Sequence, residues 1–291
     1  MIIVFGSSGY IGRHIHEYFY KKDNLLFGTS NDDSKKEFKY FDLQDSDLNN
    51  LNIDTSKAGH AFICSAISKP DECKKNEEKS YKINVAGTKK LIEQLWQKNI
   101  FPIWFSSEQV FDGKKGKYTE DDERNPISVY GRQKKIIEDF LLGSGNPFLI
   151  ARVGRAYGLE HRDNTLITSL LEQFKNSKVI RCAADQIFSP IYIEDLVKLL
   201  DICLEKNLSG IYNFASPEAF SRLQLANMLK SQLGLKSSVA ACSIRDFKTL
   251  EQRPLDTSLN VNKLIRDTGF KFTKIEDAIG RLKNIQIFEK I

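Results

Sequence analysis

Tyr130 and Lys134 stand four residues apart in Tyr130-Gly131-Arg132-Gln133-Lys134, a spacing that stacks two side chains on one face of a helix. A free phenol titrates near about 10. An ammonium beside it favours the phenolate and lowers that value. The phenol can then exchange a proton with a hydroxyl or carbonyl near neutral pH, and the lysine can also hold ribose hydroxyls. Alone, the pair is better explained by two exposed side chains on a surface helix. Upstream, however, an apolar strand ends in Phe105-Ser106-Ser107-Glu108-Gln109. Open α/β sheets place ligands at the C-terminal ends of their strands, and a hydroxyl there can bond the reacting oxygen beside the phenol.

A second constellation lies at the start of the chain. An apolar strand runs straight into Gly6-Ser7-Ser8-Gly9-Tyr10-Ile11-Gly12, and an amphipathic helix follows. Gly6 permits a tight turn, Gly9 lets the backbone approach a pyrophosphate, and Gly12 lets the helix pack closely on the sheet. The spacing is G-x-x-G-x-x-G rather than G-x-G-x-x-G, but the strand before it and the helix after it make it a dinucleotide cradle. Its expected contacts are Gly6, Ser8, Gly9, Tyr10, Ile11 and Gly12. The second strand ends Gly28-Thr29-Ser30-Asn31, and no carboxylate stands at Thr29 or Ser30 to hold a ribose 2′-hydroxyl. Both residues remain expected cofactor contacts. Arg13, Lys35 and Lys36 are near enough in sequence to meet a 2′-phosphate, so NADP(H) is favoured and NAD(H) stays open.

These groups need a frame. Ile2–Phe5, Leu25–Gly28, Ala61–Ser65, Ile103–Ser106 and Phe148–Val153 read as buried strands. Between them, Ile11–Tyr20, Tyr81–Gln97 and Val129–Leu142 read as helices. The alternation predicts an α/β chain with a Rossmann doubly wound parallel sheet. The stripe Ile11, Ile15, Tyr18 and Phe19 reads as core. The second half is less regular: helices at Leu166–Phe174, Ile193–Leu204 and Leu223–Leu233, strands at Ile187–Tyr192 and Gly210–Asn213. It predicts a smaller C-terminal α/β substrate lobe interleaved with late pieces of the sheet. The expected division is 1–153 plus about 188–214 for the NAD(P)-binding domain, and 154–187 with 215–291 for the substrate lobe.

Composition narrows the classes. The 291 residues are 41% hydrophobic and 28% charged, with a net charge of +5, a globular balance without a basic module for nucleic acid. No apolar run reaches membrane-spanning length. Met1 reads as the true start, and the apolar opening is too short for a signal peptide. Cys64, Cys73, Cys182, Cys203 and Cys242 show no C-x-x-C pair, so neither a disulfide framework nor a metal site is expected. A reducing cytoplasm is the expected location. His14, His16, His60 and His161 share no ligand spacing and read as structural or exposed.

These residues carry a resemblance over nearly the whole chain to the extended short-chain dehydrogenase/reductase family, in the branch of the dTDP-4-dehydrorhamnose reductases. Besides the glycine turn and Tyr130/Lys134, it rests on Ser106–Gly113, similar to S-T-D-Y-V-F-D-G, on Asn84-Val85-Ala86-Gly87-Thr88, and on Asp185-Gln186, Pro190 and Asp195-Leu196. Arg253-Pro254, Ser258-Leu259 and Lys263-Leu264 resemble a C-terminal signature of that branch. The resemblance implies Ser107, Tyr130 and Lys134 as a catalytic triad. Hydride would pass from a nicotinamide to a sugar keto carbon, Tyr130 would donate the proton, and Ser107 would bond the same oxygen. It implies Asp42 and Leu43 at the adenine, and Cys64, Ser65 and Ala66 beside the nicotinamide. Asn84, Ser106 and Val153 would complete the cofactor contacts. Ser107, Glu108, Arg155, Gln186 and Arg253 would meet a nucleotide-sugar substrate.

The departures matter too. Gln109 replaces the last residue of the T-D-E of sugar-nucleotide dehydratases and cannot abstract a proton, which disfavours that chemistry. Arg155 stands where rhamnose-forming reductases usually carry tryptophan, and can pair a carboxylate or phosphate. A reductase of a nucleotide-linked 4-keto sugar is therefore the leading expectation. An NAD-dependent epimerase and a non-catalytic NADP-binding regulatory subunit are the alternatives, and a homodimer is left open.

Overall fold

The computed structural model describes residues 1–282 except 52–53, 161–162 and 164; the call on His161 lies outside the described residues. The chain runs β1 (Ile2–Phe5), α1 (Tyr10–Lys21), β2 (Leu25–Ser30), β3 (Lys39–Tyr40), β4 (His60–Ile63), α2 (Pro70–Lys75), α3 (Glu77–Tyr81) and α4 (Thr88–Gln97). It continues through β5 (Phe101–Ser107), α5 (Val129–Gly143), β6 (Leu149–Val153), β7 (Arg155–Tyr157), α6 (Leu166–Asn176) and β8 (Val179–Ala183). Then come β9 (Ile187–Phe188), β10 (Pro190–Tyr192), α7 (Ile193–Glu205), β11 (Gly210–Phe214), β12 (Phe220–Ser221), α8 (Arg222–Leu233), β13 (Ser238–Cys242), α9 (Asn262–Thr268) and α10 (Ile275–Leu282). No described helix is long and apolar enough to cross a membrane.

Seven parallel strands form one sheet in the order β11-β6-β5-β4-β1-β2-β3. The order reverses at β1 and β4, and that reversal opens a crevice at the strand ends. Helices cover both faces, so the strands are apolar on both sides. Ile2 and Val4 pack into one core with Phe62, Ile103 and Ala151. Ile3 and Phe5 pack into the other with Ile63, Trp104 and Ile150. The period of two in a strand produces this division. Ile15 and Phe19 are buried in the first core, while Ile11 and Tyr18 lie at its edge.

Two elements depart from the sequence reading. The helix expected over Tyr81–Gln97 contains a π-helical segment, Lys82–Gly87. Its wider turn carries Asn84 inward, where the amide accepts from Ile67 N (2.8 Å) and donates to Ile67 O (2.9 Å) and Gln133 Oε1 (2.8 Å). The strand expected over Ile187–Tyr192 is two. Ile187–Phe188 pairs with β12 and Pro190–Tyr192 with β7, because Pro190 has no N–H to continue a ladder. The short pairs β8–β13 and β9–β12 build the second lobe.

One buried ion pair fixes the helix that carries Tyr130. Glu138 is 0% exposed and Arg152, on β6, is 1% exposed. Arg152 donates from Nε to Glu138 Oε1 (2.9 Å) and from Nη2 to Oε2 (2.8 Å). Ser106 Oγ donates to Oε1 (2.5 Å) and Arg124 Nη1 to Oε2 (3.1 Å). α5 is thereby tied to both β5 and β6. Arg152→Leu, which leaves the carboxylate buried without its bidentate partner, is expected to cost about 3–5 kcal/mol in urea unfolding. Arg152→Leu combined with Glu138→Leu should recover most of that loss; a double variant as weak as the single would show that the cost is not electrostatic.

Candidate active site

α5 opens beside the exit of β5. Ser128 Oγ accepts from Gly131 N (3.1 Å), and the Glu251 carboxylate accepts from Val129 N at 2.9 and 3.1 Å. These caps satisfy first-turn amides. At Gly131 a Cβ would overlap the Gln109 carbonyl oxygen, so glycine is what lets the helix reach the strand end. Tyr130 and Lys134 are consequently 7% and 5% exposed. The Lys134 ammonium donates to Phe105 O (2.7 Å) and lies 5.5 Å from the Tyr130 ring centroid. Ser107 Oγ donates to Glu108 Oε2 (2.9 Å) and accepts from Gln109 N (3.2 Å).

Burial sets the protonation of these groups. It pushes the Tyr130 phenol up, with Glu108 and Cys73 adding to the rise and the Ser107 hydroxyl opposing it. The expectation that Lys134 lowers Tyr130 is therefore corrected: burial dominates, and the phenol rises. Burial also brings Lys134 down to about 8, against the pull of Cys73, Cys64 and Glu138. Burial raises Glu108 despite the attraction of Arg155.

Ser107, Tyr130 and Lys134 line one cavity of about 480 Å³ together with Gly9, Ile11 and Gly12 of the glycine turn. Tyr10, Cys64, Ala66 and Val153 line it too. Gly6 has a φ of 85°, and a Cβ there would lie 2.7 Å from Ser65 Oγ; Gly6 and Ser65 thus shape the turn together. No side chain caps the N-terminus of α1, which leaves its first amides for an anion. The residues present fit a dinucleotide.

Other expected contacts act differently. Thr29 Oγ1 is buried and accepts from Gly6 N (3.2 Å), so it braces the turn rather than meeting a ribose. Ser8 and Ser30 share a hydrogen bond at 2.9 Å at the end of β2. Ser106 spends its hydroxyl on Glu138, and the Asn84 amide is committed to Ile67 and Gln133. Arg13 is turned to Glu160 (2.8 Å) and Lys36 to Asp33 (3.1 Å), which leaves Lys35 without an ion pair among the described residues. Asp42 lines a separate cavity of about 340 Å³ with Tyr40, Phe41 and Asn50, whereas Leu43 is buried.

A further cavity of about 500 Å³ gathers Glu108, Arg155, Gln186 and Arg253. Arg253 Nη2 pairs with Asp71 (2.8 Å), while its Nη1 is buried without a partner. Glu108, Arg155 and Arg222 line this cavity and the first one, and so form the neck between them. Asp185 instead braces a loop, accepting from Ser243 Oγ (2.5 Å) and Ile244 N (2.7 Å).

The profile of the RmlD substrate binding domain matches residues 1–286. The chain belongs to that family. This RmlD-family chain is 26% identical, over 99% of its length and 98% of the relative, to the dTDP-4-dehydrorhamnose reductase of Aggregatibacter actinomycetemcomitans. It is 24% identical to methionine adenosyltransferase 2 subunit beta of Xenopus tropicalis, over 90% and 80% of the two chains. Its fold superimposes with a TM-score of 0.85, at 22% identity and over 97% and 98% of the chains, on the dTDP-4-dehydrorhamnose reductase of Bacillus anthracis in complex with NADP.

Several residues of the RmlD-family site escape sequence reading. Glu138 lies four residues after Lys134, on the same helix face, and that spacing is the signal that could have found it. Gln133, Arg222 and Glu251 carry no such signal. Gly131→Ala is expected to leave the protein folded, displace Tyr130 and lower turnover roughly tenfold to a hundredfold. Cofactor titration should change little, and a variant with undiminished turnover would remove the close approach from the account.

Proposed function

We propose that this chain is an NAD(P)H-dependent reductase of a nucleotide-linked 4-keto sugar. The carrying observation is that Ser107, Tyr130 and Lys134 line a single cavity with the glycine turn. NADP(H) is the favoured cofactor; the absence of a carboxylate at Thr29 and Ser30 supports it, as does the NADP of the Bacillus anthracis relative. Residues 1–153 with about 188–214 would hold the cofactor, and 154–187 with 215–291 the sugar nucleotide. When bound, the nicotinamide supplies the hydride to the keto carbon.

The chain's own groups handle the proton. A phenol raised by burial is held in the protonated form that a donor needs. Tyr130 gives that proton to the nascent alkoxide while Ser107 bonds the same oxygen. As the phenolate forms, the Lys134 ammonium beside the ring stabilises it. The epimerase and regulatory-subunit readings are less well supported. Binding alone requires neither Ser107 nor Tyr130, and a reductase consumes NADPH where an epimerase does not.

NADPH oxidation measured against nucleotide-linked 4-keto sugars tests the reading; no consumption with any of them, or a stoichiometric partner enzyme copurifying instead, would reject it. Tyr130→Phe should retain NADPH binding and lose about 10²–10⁴ in turnover; equal activity would remove the proton-donor role. The pH dependence follows from Lys134, which is charged below about 8 and neutral above. Turnover should hold on the acid side of that value and fall as pH rises through it. Lys134→Arg, whose guanidinium stays charged, should shift the fall to higher pH; an unmoved profile would assign the titration elsewhere.

A further inference from the structure

The neck between the two cavities holds an unusual pair of groups. Val153 is in register with Ser107 across β6 and β5, so Arg155 emerges two residues beyond the catalytic hydroxyl, alongside Glu108. The guanidinium carbon lies over the Phe188 ring, 4.7 Å from its centroid, a cation–π contact. Its Nε is buried with no hydrogen-bond partner, and no carboxylate lies within ion-pairing distance of it among the described residues. The Glu108 carboxylate accepts from the Ser107 hydroxyl (2.9 Å). Glu108 and two guanidinium groups, Arg155 and Arg222, thus face a shared space; Glu108 attracts Arg155 across it without forming an ion pair at bonding distance.

The outer cations are arranged differently. Arg253 and Arg181 line only the outer cavity, and each already pairs with an aspartate, Asp71 at 2.8 Å and Asp246 at 3.1 Å. A diphosphate extending away from the reacting carbon meets that outer region. A diphosphate held there would leave the sugar ring to span the neck, beside Arg155 and Arg222 and towards Ser107. What Arg155 faces is therefore a substituent on the ring, near the carbon that changes oxidation state.

We infer that Arg155 selects a carboxylate on the sugar, so that the preferred substrates are nucleotide-linked acidic sugars of the hexuronate type. This deepens the reductase reading and rests on it. A planar guanidinium matches a carboxylate through two parallel hydrogen bonds. Burial raises the Glu108 carboxyl, while Arg155 and the Ser107 hydroxyl oppose the rise, so its repulsion of an incoming carboxylate is offset by the guanidinium beside it. A sugar without an acceptor there would leave the buried Arg155 Nε without a hydrogen-bond partner, which disfavours its binding.

The test uses full-length protein saturated with NADP and calorimetric titration. UDP and dTDP are titrated first, and whichever binds is then compared as its glucose and glucuronic acid conjugates. The acidic conjugate is expected to bind roughly tenfold or more tightly than the neutral one. Arg155→Leu should abolish that preference while keeping the affinity for the free nucleotide; Arg155→Gln serves the same purpose if the leucine variant fails to fold. Equal affinities in the wild type, or a preference that survives in the variants, would overturn the role of Arg155 and leave the reductase reading standing. Failure of both nucleotides to bind would overturn the nucleotide-sugar reading and this inference with it.

Discussion

A carboxylate with no access to water holds the candidate catalytic machinery in place. Glu138 bonds Arg152 on one strand and Ser106 on the next while standing on the helix of Tyr130 and Lys134. Removing a carboxylate from water is costly, and only close, well-directed donors offset that cost. The arrangement is therefore intolerant of displacement: small shifts of α5 relative to β5 or β6 lengthen several charge-assisted bonds at once. Precision at Tyr130 follows from that intolerance. The phenol and the Ser107 hydroxyl sit on different elements, and the buried pair joins those elements about two turns of helix away from Tyr130.

The same exclusion of water governs the chemistry. In solution a lysine beside a tyrosine would mainly lower the phenol. Here desolvation acts on both groups and dominates, so the phenol keeps its proton and the ammonium gives up its own more easily. At the neck, burial likewise leaves Arg155 and Glu108 with little competition from solvent. Interactions with an incoming ligand are correspondingly strong there.

Much of the frame was legible because it depends on local pattern. Short runs apolar on both faces announced the parallel strands, and the glycines between β1 and α1 announced the turn. Tyr130 and Lys134 were visible from helical spacing and Ser107 from its place after a strand. What stayed hidden depends on tertiary surroundings. Arg152 sits in an apolar strand with nothing nearby in sequence to pair it. Thr29 and Ser106 have the right type and place for cofactor contacts, yet their hydroxyls turn to protein groups. The π-helical turn at Asn84 arises from contacts with Ile67 and Gln133, which are remote in sequence. The direction of the Tyr130 shift needed its burial, which no spacing reveals.

Glu251 gives the molecule a particular kind of unity. It comes from the C-terminal stretch, yet it satisfies the first amide of the helix bearing Tyr130. The same stretch is anchored to Asp71, through Leu250 N at 3.1 Å and Arg253 at 2.8 Å. The helix of Tyr130 is thus completed by a residue more than a hundred positions downstream. The segment from β1 to β6 carries six strands of the sheet and the glycine turn, but the carboxylate that caps α5 lies outside it. The start of that helix is for that reason a joint product of two segments remote in sequence.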